Sequence, residues 1–150
     1  MITKEKFWDI VEKVKWEKNS RKYDLISIII LQNIESFDDI QELNDWSKFF
    51  QKKLEKKIYN FNQSTENQLL VNKIYVCWRS DDSFWDFKAH IVSLGEDIYD
   101  SCFVNDENLL KGQNYIENFD YIFHHTEEFT ETKEGQKILH RKDKLKRIIN

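Results

Sequence analysis

Proline is absent from these 150 residues, and glycine occurs only three times. β-Sandwiches and βαβ folds place both residues at their turns, whereas helix interiors exclude both. So little of either points to a chain that is helical throughout. Cysteine is nearly as scarce: Cys77 and Cys102 stand alone, and neither belongs to a CxxC pattern. We read them as reduced core thiols of a cytosolic protein. The longest aliphatic run, Ile28–Leu31, is far shorter than the roughly 20 residues that a bilayer span requires. No apolar segment follows the charged start Met1-Ile2-Thr3-Lys4-Glu5-Lys6, so no signal peptide and no membrane association are expected. Catalytic signatures are missing as well. The chain has no GxSxG and no Gly-rich phosphate loop. It also has no pair of histidines four apart: His124 and His125 are adjacent, which on a helix turns them about 100° from each other. No cofactor, no metal site and no catalytic residue is expected.

Aromatic residues are abundant, with 11 Phe, 6 Tyr and 5 Trp, and 33% of the chain is charged. A domain of this length buries roughly two-thirds of its unfolded surface, so an aromatic core under a well-solvated exterior is expected. The formal charge is −4, which disfavours a general nucleic-acid binder. The charge is uneven, however. Residues 137–150 hold Lys137, Arg141, Lys142, Lys144, Lys146 and Arg147 against Asp143 alone. Nucleic-acid contact, if any, would come through those six residues. A solvated terminal helix that docks on the acidic body is the reading that charge favours.

Periodicity predicts a single compact all-α domain of six to eight helices. Residues 1–130 would form its body and 131–150 a basic helical extension. Thr3 should cap a first helix with Phe7, Ile10, Val11 and Val14 on its apolar face. Tyr23–Ile34 suits either a buried strand or a buried helix. A helix is preferred, because a lone strand would have no partner, and Leu25, Ile28, Ile29 and Gln32 would share its face. Ser36 should cap a long helix reaching about Asn60, striped by Ile40, Leu43, Trp46 or Ser47, Phe50, Leu54, Ile58 and Phe61. A fourth face runs through Leu69, Leu70, Lys73, Ile74, Cys77 and Trp78. Phe84, Phe87, Ile91 and Leu94 make the next, which stops at Gly95. Asn105 or Asp106 should cap a short turn ending at Gly112. Thr126–Gly135, acidic and Thr-rich, is expected to be a mobile linker before a last helix at Gln136–Ile149.

Between two of these faces lies Trp78-Arg79-Ser80-Asp81-Asp82-Ser83-Phe84-Trp85-Asp86-Phe87, an aromatic and acidic stretch. From Ser80-Asp81-Asp82-Ser83-Phe84 through Gly95 to Tyr99, the sequence resembles the bacterial family known as domain of unknown function 4240. Asn105-Asp106-Glu107-Asn108-Leu109 is similar to that family's Asp-Pro-Asp-Ser-Leu box without the proline, and Phe7-Trp8 to its N-terminal Phe-Trp pair. The resemblance covers roughly residues 3–130. It departs at Cys77-Trp78-Arg79, where relatives carry a Gly-rich turn. It implies a small helical bacterial domain and no known activity.

Two functions fit these residues. The first is a non-catalytic protein-binding domain, immunity-like or regulatory, with Trp78, Arg79, Asp81, Asp82, Trp85 and Asp86 as the binding set. Exposed aromatics beside Arg and Asp serve as interface anchors, and an acidic chain suits a basic partner, as it does in toxin-neutralising immunity proteins. The second is an enzyme or a small-ligand or metal binder using Asp81, Asp82 and Asp86 with His90. Capping competes with both. Ser80 or Asp81 would cap the helix and its neighbours would sit at the favourable end of the dipole. Three close carboxylates without distant partners fall short of the six or more oxygens that a hard cation takes.

Overall fold

The computed structural model describes residues 1–62, 68–75, 80–117 and 119–149, with the backbone alone at 61, 62, 68, 71, 75 and 142–149. Every regular element among the described residues is helical. In chain order these are α1 (Lys4–Val14), a one-turn α2 (Trp16–Asn19), α3 (Tyr23–Asn33), α4 (Asp38–Asn62), α5 (Gln68–Tyr75), α6 (Asp81–Ser93), α7 (Glu96–Val104), a 3-10 helix (Asp106–Gly112), α8 (Tyr121–Phe129) and α9 (Lys133–Ile149). The all-α class follows as expected, and Tyr23–Ile34 resolves as a helix. The chain divides into two compact units, Met1–Asp45 with Asp120–Asn150, and Trp46–Phe119.

In the first unit α3 packs on α1, α2, α8 and α9. Thr3 caps α1 as expected, its hydroxyl accepting the Lys6 N–H at 3.1 Å. Phe7, Ile10, Val11 and Val14 are buried, and Trp8 with them. The first helical segment does not run on to the polar loop, however. Lys15 takes a left-handed conformation (φ 47°, ψ 59°), which costs an L-residue about 1–2 kcal/mol. The turn it makes restarts the helix with the Trp16 indole fully buried.

The buried face of α3 is the opposite of the expected one. Ile26, Ser27, Ile30 and Leu31 are buried, while Leu25 and Gln32 are exposed and Ile28 and Ile29 half-buried. Apolar residues surround this helix, so periodicity could not choose a face. The partner helix does. Thr126 of α8 donates its hydroxyl to the Ile122 carbonyl at 2.7 Å, which leaves its oxygen to accept from the Ser27 hydroxyl at 3.0 Å. Both groups are satisfied without water, as burial requires.

The same threonine overturns the expected linker at Thr126–Gly135. α8 runs through Phe129, and Thr126 and Thr130 are buried. The Thr130 and Thr132 hydroxyls donate to the Glu127 and Phe129 carbonyls, and Thr132 in turn accepts the Gly135 N–H at 3.1 Å. Gln136 donates to the Thr130 carbonyl at 2.7 Å. Threonine reads as a turn residue in the sequence; here its hydroxyls close the α8–α9 corner.

Asp39 closes the turn that leads into α4. The buried Asp39 carboxylate accepts the backbone N–H groups of Glu35 and Ser36 at 2.9 and 3.1 Å, and the Met1 amino group lies 3.4 Å from its other oxygen. Burial alone would raise this carboxyl's pKa. The two N–H bonds, the bond with Glu42 and the amino group outweigh it and hold the pKa below the ordinary 3.8.

In the second unit Ser47, Phe50, Gln51, Leu54 and Ile58 of α4 are buried. Ser47 therefore takes the stripe position that Trp46 could have held; Phe61's side chain lies outside the described ones. The Tyr99 hydroxyl of α7 donates to the Phe50 carbonyl at 2.7 Å. Burial, with Asp100 and Cys102 nearby, pushes this phenol well above its ordinary pKa. Asn105 caps the 3-10 helix through the Glu107 N–H at 3.0 Å. α6 ends as expected where Gly95, at φ 105° and ψ 168°, takes a conformation that is essentially reserved for glycine. Leu69 of α5 corrects another expectation: it is 83% exposed, while Ile74 is buried.

Alanine normally suits a helix better than glycine by about 1 kcal/mol. At Gly135 a Cβ would lie 2.2 Å from the Phe129 carbonyl oxygen. The clash decides the sign: Gly135→Ala should lower stability by about 2–3 kcal/mol in urea unfolding, and a gain would mean the corner opens freely. Asp39 predicts a pH dependence. A carboxyl with a depressed folded pKa stabilises above its unfolded pKa, and that contribution is lost as pH falls through the folded one. The stability advantage of wild type over Asp39→Asn should be full at about pH 6 and shrink below about pH 4. A difference independent of pH would show that the carboxylate's charge is immaterial.

Candidate functional site

α6 begins because Ser80 is extended (φ −149°, ψ 169°) and its hydroxyl accepts the Ser83 N–H at 3.2 Å. Asp81 and Asp82 follow in the first turn and are exposed. Their carboxylates sit at the positive end of the helix dipole. Among the described residues no cation pairs with either.

Residues four apart share a helix face. Asp81 therefore stands beside Trp85, which is 47% exposed, and Phe84 beside Lys88, which is 5% exposed. The Lys88 ammonium lies 4.5 Å from the Phe84 ring centre and 5.4 Å from that of Trp85. It lies 3.6 Å from Glu55 of α4. Tyr59, one turn further along α4, donates its hydroxyl to Glu55 at 3.1 Å and sets its ring 6.2 Å from Phe84. A desolvated cation over aromatic faces gains about 2 kcal/mol, and Glu55 balances the charge that burial would otherwise penalise. Lys88 thus ties α6 to α4 from beneath. What faces outward is Asp81, Asp82, Trp85 and Tyr59.

The other expected residues fare differently. Asp86 is half-buried. Trp78 and Arg79 lie outside the described residues, as does Cys77. His90 is buried, and its Nδ1 accepts the Ile116 N–H at 3.4 Å. It faces the core while Asp81 and Asp82 face solvent, so the three do not form one site. Among the described residues no three His, Cys, Asp or Glu side chains converge on a metal position. Burial pushes the Cys102 thiol up to about 11, far from a reactive thiolate. Of the basic tail, Lys137 and Arg141 are exposed on α9; the side chains of Lys142, Lys144, Lys146 and Arg147 are not among the described ones. No helix among the described residues is long and apolar enough to cross a membrane. Sequence reasoning missed Glu55, Tyr59 and Lys88. The four-residue spacing of Phe84 and Lys88 was available as a signal, but nothing local showed that Glu55 would meet them.

The Ser80–Gly95 stretch that carries the resemblance is α6 with its cap and its stop. The chain matches the family described as protein of unknown function (DUF4240) over residues 2–133. It belongs to that family. The DUF4240 match takes in α1 to α8, the Lys88 cluster and the opening residue of α9. No curated protein and no solved structure matches this DUF4240 chain.

The capping role can be separated from the surface role. Ser80→Ala should cost about 1 kcal/mol of stability through the lost cap. Asp81→Asn/Asp82→Asn should cost about 0.5–1 kcal/mol, and less in high salt, since only dipole terms are lost. Thermal unfolding of both variants checks this. A larger loss in the double variant would make the carboxylates structural.

Proposed function

We propose that this DUF4240 protein is a non-catalytic protein-binding domain whose contact surface is the outward face of α6 with the adjoining part of α4. One observation carries the reading. Trp85 and Tyr59, 47% and 51% exposed, stand with Asp81 and Asp82, which pair with no cation among the described residues, above the Lys88–Glu55 pair. Large aromatics are the residues that anchor interfaces, and leaving them in water is unfavourable by about 25 cal/mol per Å2 of apolar surface. Paired with two carboxylates, they suit a basic protein segment. Arginine fits best, because it can stack on the Trp85 ring and meet a carboxylate with the same planar group. Trp78 and Arg79 are proposed to extend the same surface. The alternative, a ligand or metal site built on Asp81, Asp82 and Asp86 with His90, is disfavoured by the inward placement of His90.

A pull-down from cells of the source, at low and high salt, tests the reading beside Asp81→Asn/Asp82→Asn and Trp85→Ala variants matched in thermal stability. The expected result is a basic partner held by wild type, weakened by salt, and bound at least about tenfold less tightly by either variant. Capture of the same partner by all three would place the interface elsewhere, and no captured partner would remove the proposal.

A further inference from the structure

The basic start of α9 is not a uniformly solvated face. α9 meets α3 along a cleft of about 530 Å3, within the roughly 300–1,000 Å3 range of small-molecule sites. Lys133, Lys137 and Arg141 line it from α9. Spaced four apart, they form a row with steps of about 6 Å along the axis. Ile28 of α3 and Ile138 of α9, both half-buried, also line it, and Gln32 contributes an exposed amide. Glu134 is the one acid among the described residues that line it. By formal charge these residues carry three cations against one carboxylate.

Two features make this an anion site rather than a surplus of lysine. Among the described residues none of the three cations has a hydrogen-bond or ion-pair partner. Like charges four apart also weaken a helix, so the row is unfavourable until something neutralises it. In addition, Lys133 opens the first turn of α9, where the dipole is already positive and repels cations. Charge and dipole therefore add at the same end of the cleft. A second hollow of about 370 Å3, lined by Gln136, Lys137, His140 and Arg141, shares two of these cations.

We propose that the α3–α9 cleft binds a small organic phosphate. A phosphate monoester carries nearly two negative charges at neutral pH, which matches the net charge of the lining. Arg141 presents a planar fork to two phosphate oxygens, and Lys137 and Lys133 act as point charges beside it. Ile28 and Ile138 take the apolar part of the ligand, and Gln32 a hydroxyl. The site is separate from the α6 face and stands or falls without it.

Calorimetric titration of the full chain with phenyl phosphate, ribose 5-phosphate and inorganic phosphate tests this, with a fluorescent 12-nucleotide single strand run in parallel at about 50 and 200 mM salt. At least one organic phosphate should bind about tenfold or more tightly than inorganic phosphate, and Lys137→Gln/Arg141→Gln should weaken it by about tenfold or more. The charge-matched control Lys52→Gln/Lys56→Gln, on the exposed face of α4, should stay within about twofold of wild type. Circular dichroism confirms that both variants keep their helices. Equal weakening in the two variants would reduce the effect to net charge and overturn the site. So would failure of both organic phosphates to bind. Oligonucleotide binding with a steep salt slope, without binding of either organic phosphate, would overturn it in favour of a nucleic-acid surface.

Discussion

α3 sets the terms for the unit it belongs to. Its eleven residues include four isoleucines and two leucines, spread around the helix instead of gathered in one stripe. Such a helix offers no single apolar stripe, so its neighbours decide which side is buried. α1, α2, α8 and α9 pack on it, burying Ile26, Ile30 and Leu31 and leaving Leu25 exposed. Trp16 reaches the interior because Lys15 turns the chain left-handed. α8 is held by the buried Ser27–Thr126 hydroxyl pair, and α9 is led back by the threonine bonds of the corner between α8 and α9. The polar residues that look like solvent-facing breaks are the ones that make this packing possible.

The second unit solves a different problem, which is how to bury a lysine. Lys88 is nearly inaccessible and would be costly there if it were unpaired. Phe84 and Trp85 supply aromatic faces, and Glu55 supplies the countercharge. This arrangement consumes the inner faces of the aromatic residues and leaves their outer faces beside Asp81 and Asp82. The surface proposed for protein binding follows from the way its underside is satisfied.

The two proposed surfaces differ in sign and in kind. One joins exposed aromatics to carboxylates and suits a basic macromolecule. The other joins a cationic row to two half-buried isoleucines in a cleft and suits a small anion. They rest on different elements, α6 with α4 and α9 with α3, and on different observations. The DUF4240 family is described as one of unknown function, so both readings depend on side-chain chemistry.

Local chemistry was enough to read the helical class, the cap at Thr3, the start of α6 at Ser80 and its stop at Gly95. Each of these depends on a residue's own backbone preference or on neighbours within one turn. The same is true of the buried positions Ile40, Leu43, Phe50, Leu54 and Ile58, where a single stripe repeats along a long helix. Other features needed the folded chain. Which side of α3 is buried, the role of Thr126, the close approach at Gly135, and the meeting of Glu55 with Lys88 all depend on residues distant in sequence. The candidate site divides along the same line. Asp81, Asp82 and Trp85 stood out in the sequence because they cluster within five residues, whereas the α3–α9 cleft pairs Ile28 with residues more than one hundred positions away. Periodicity and capping are properties of one helix, and a cleft belongs to the packing of two.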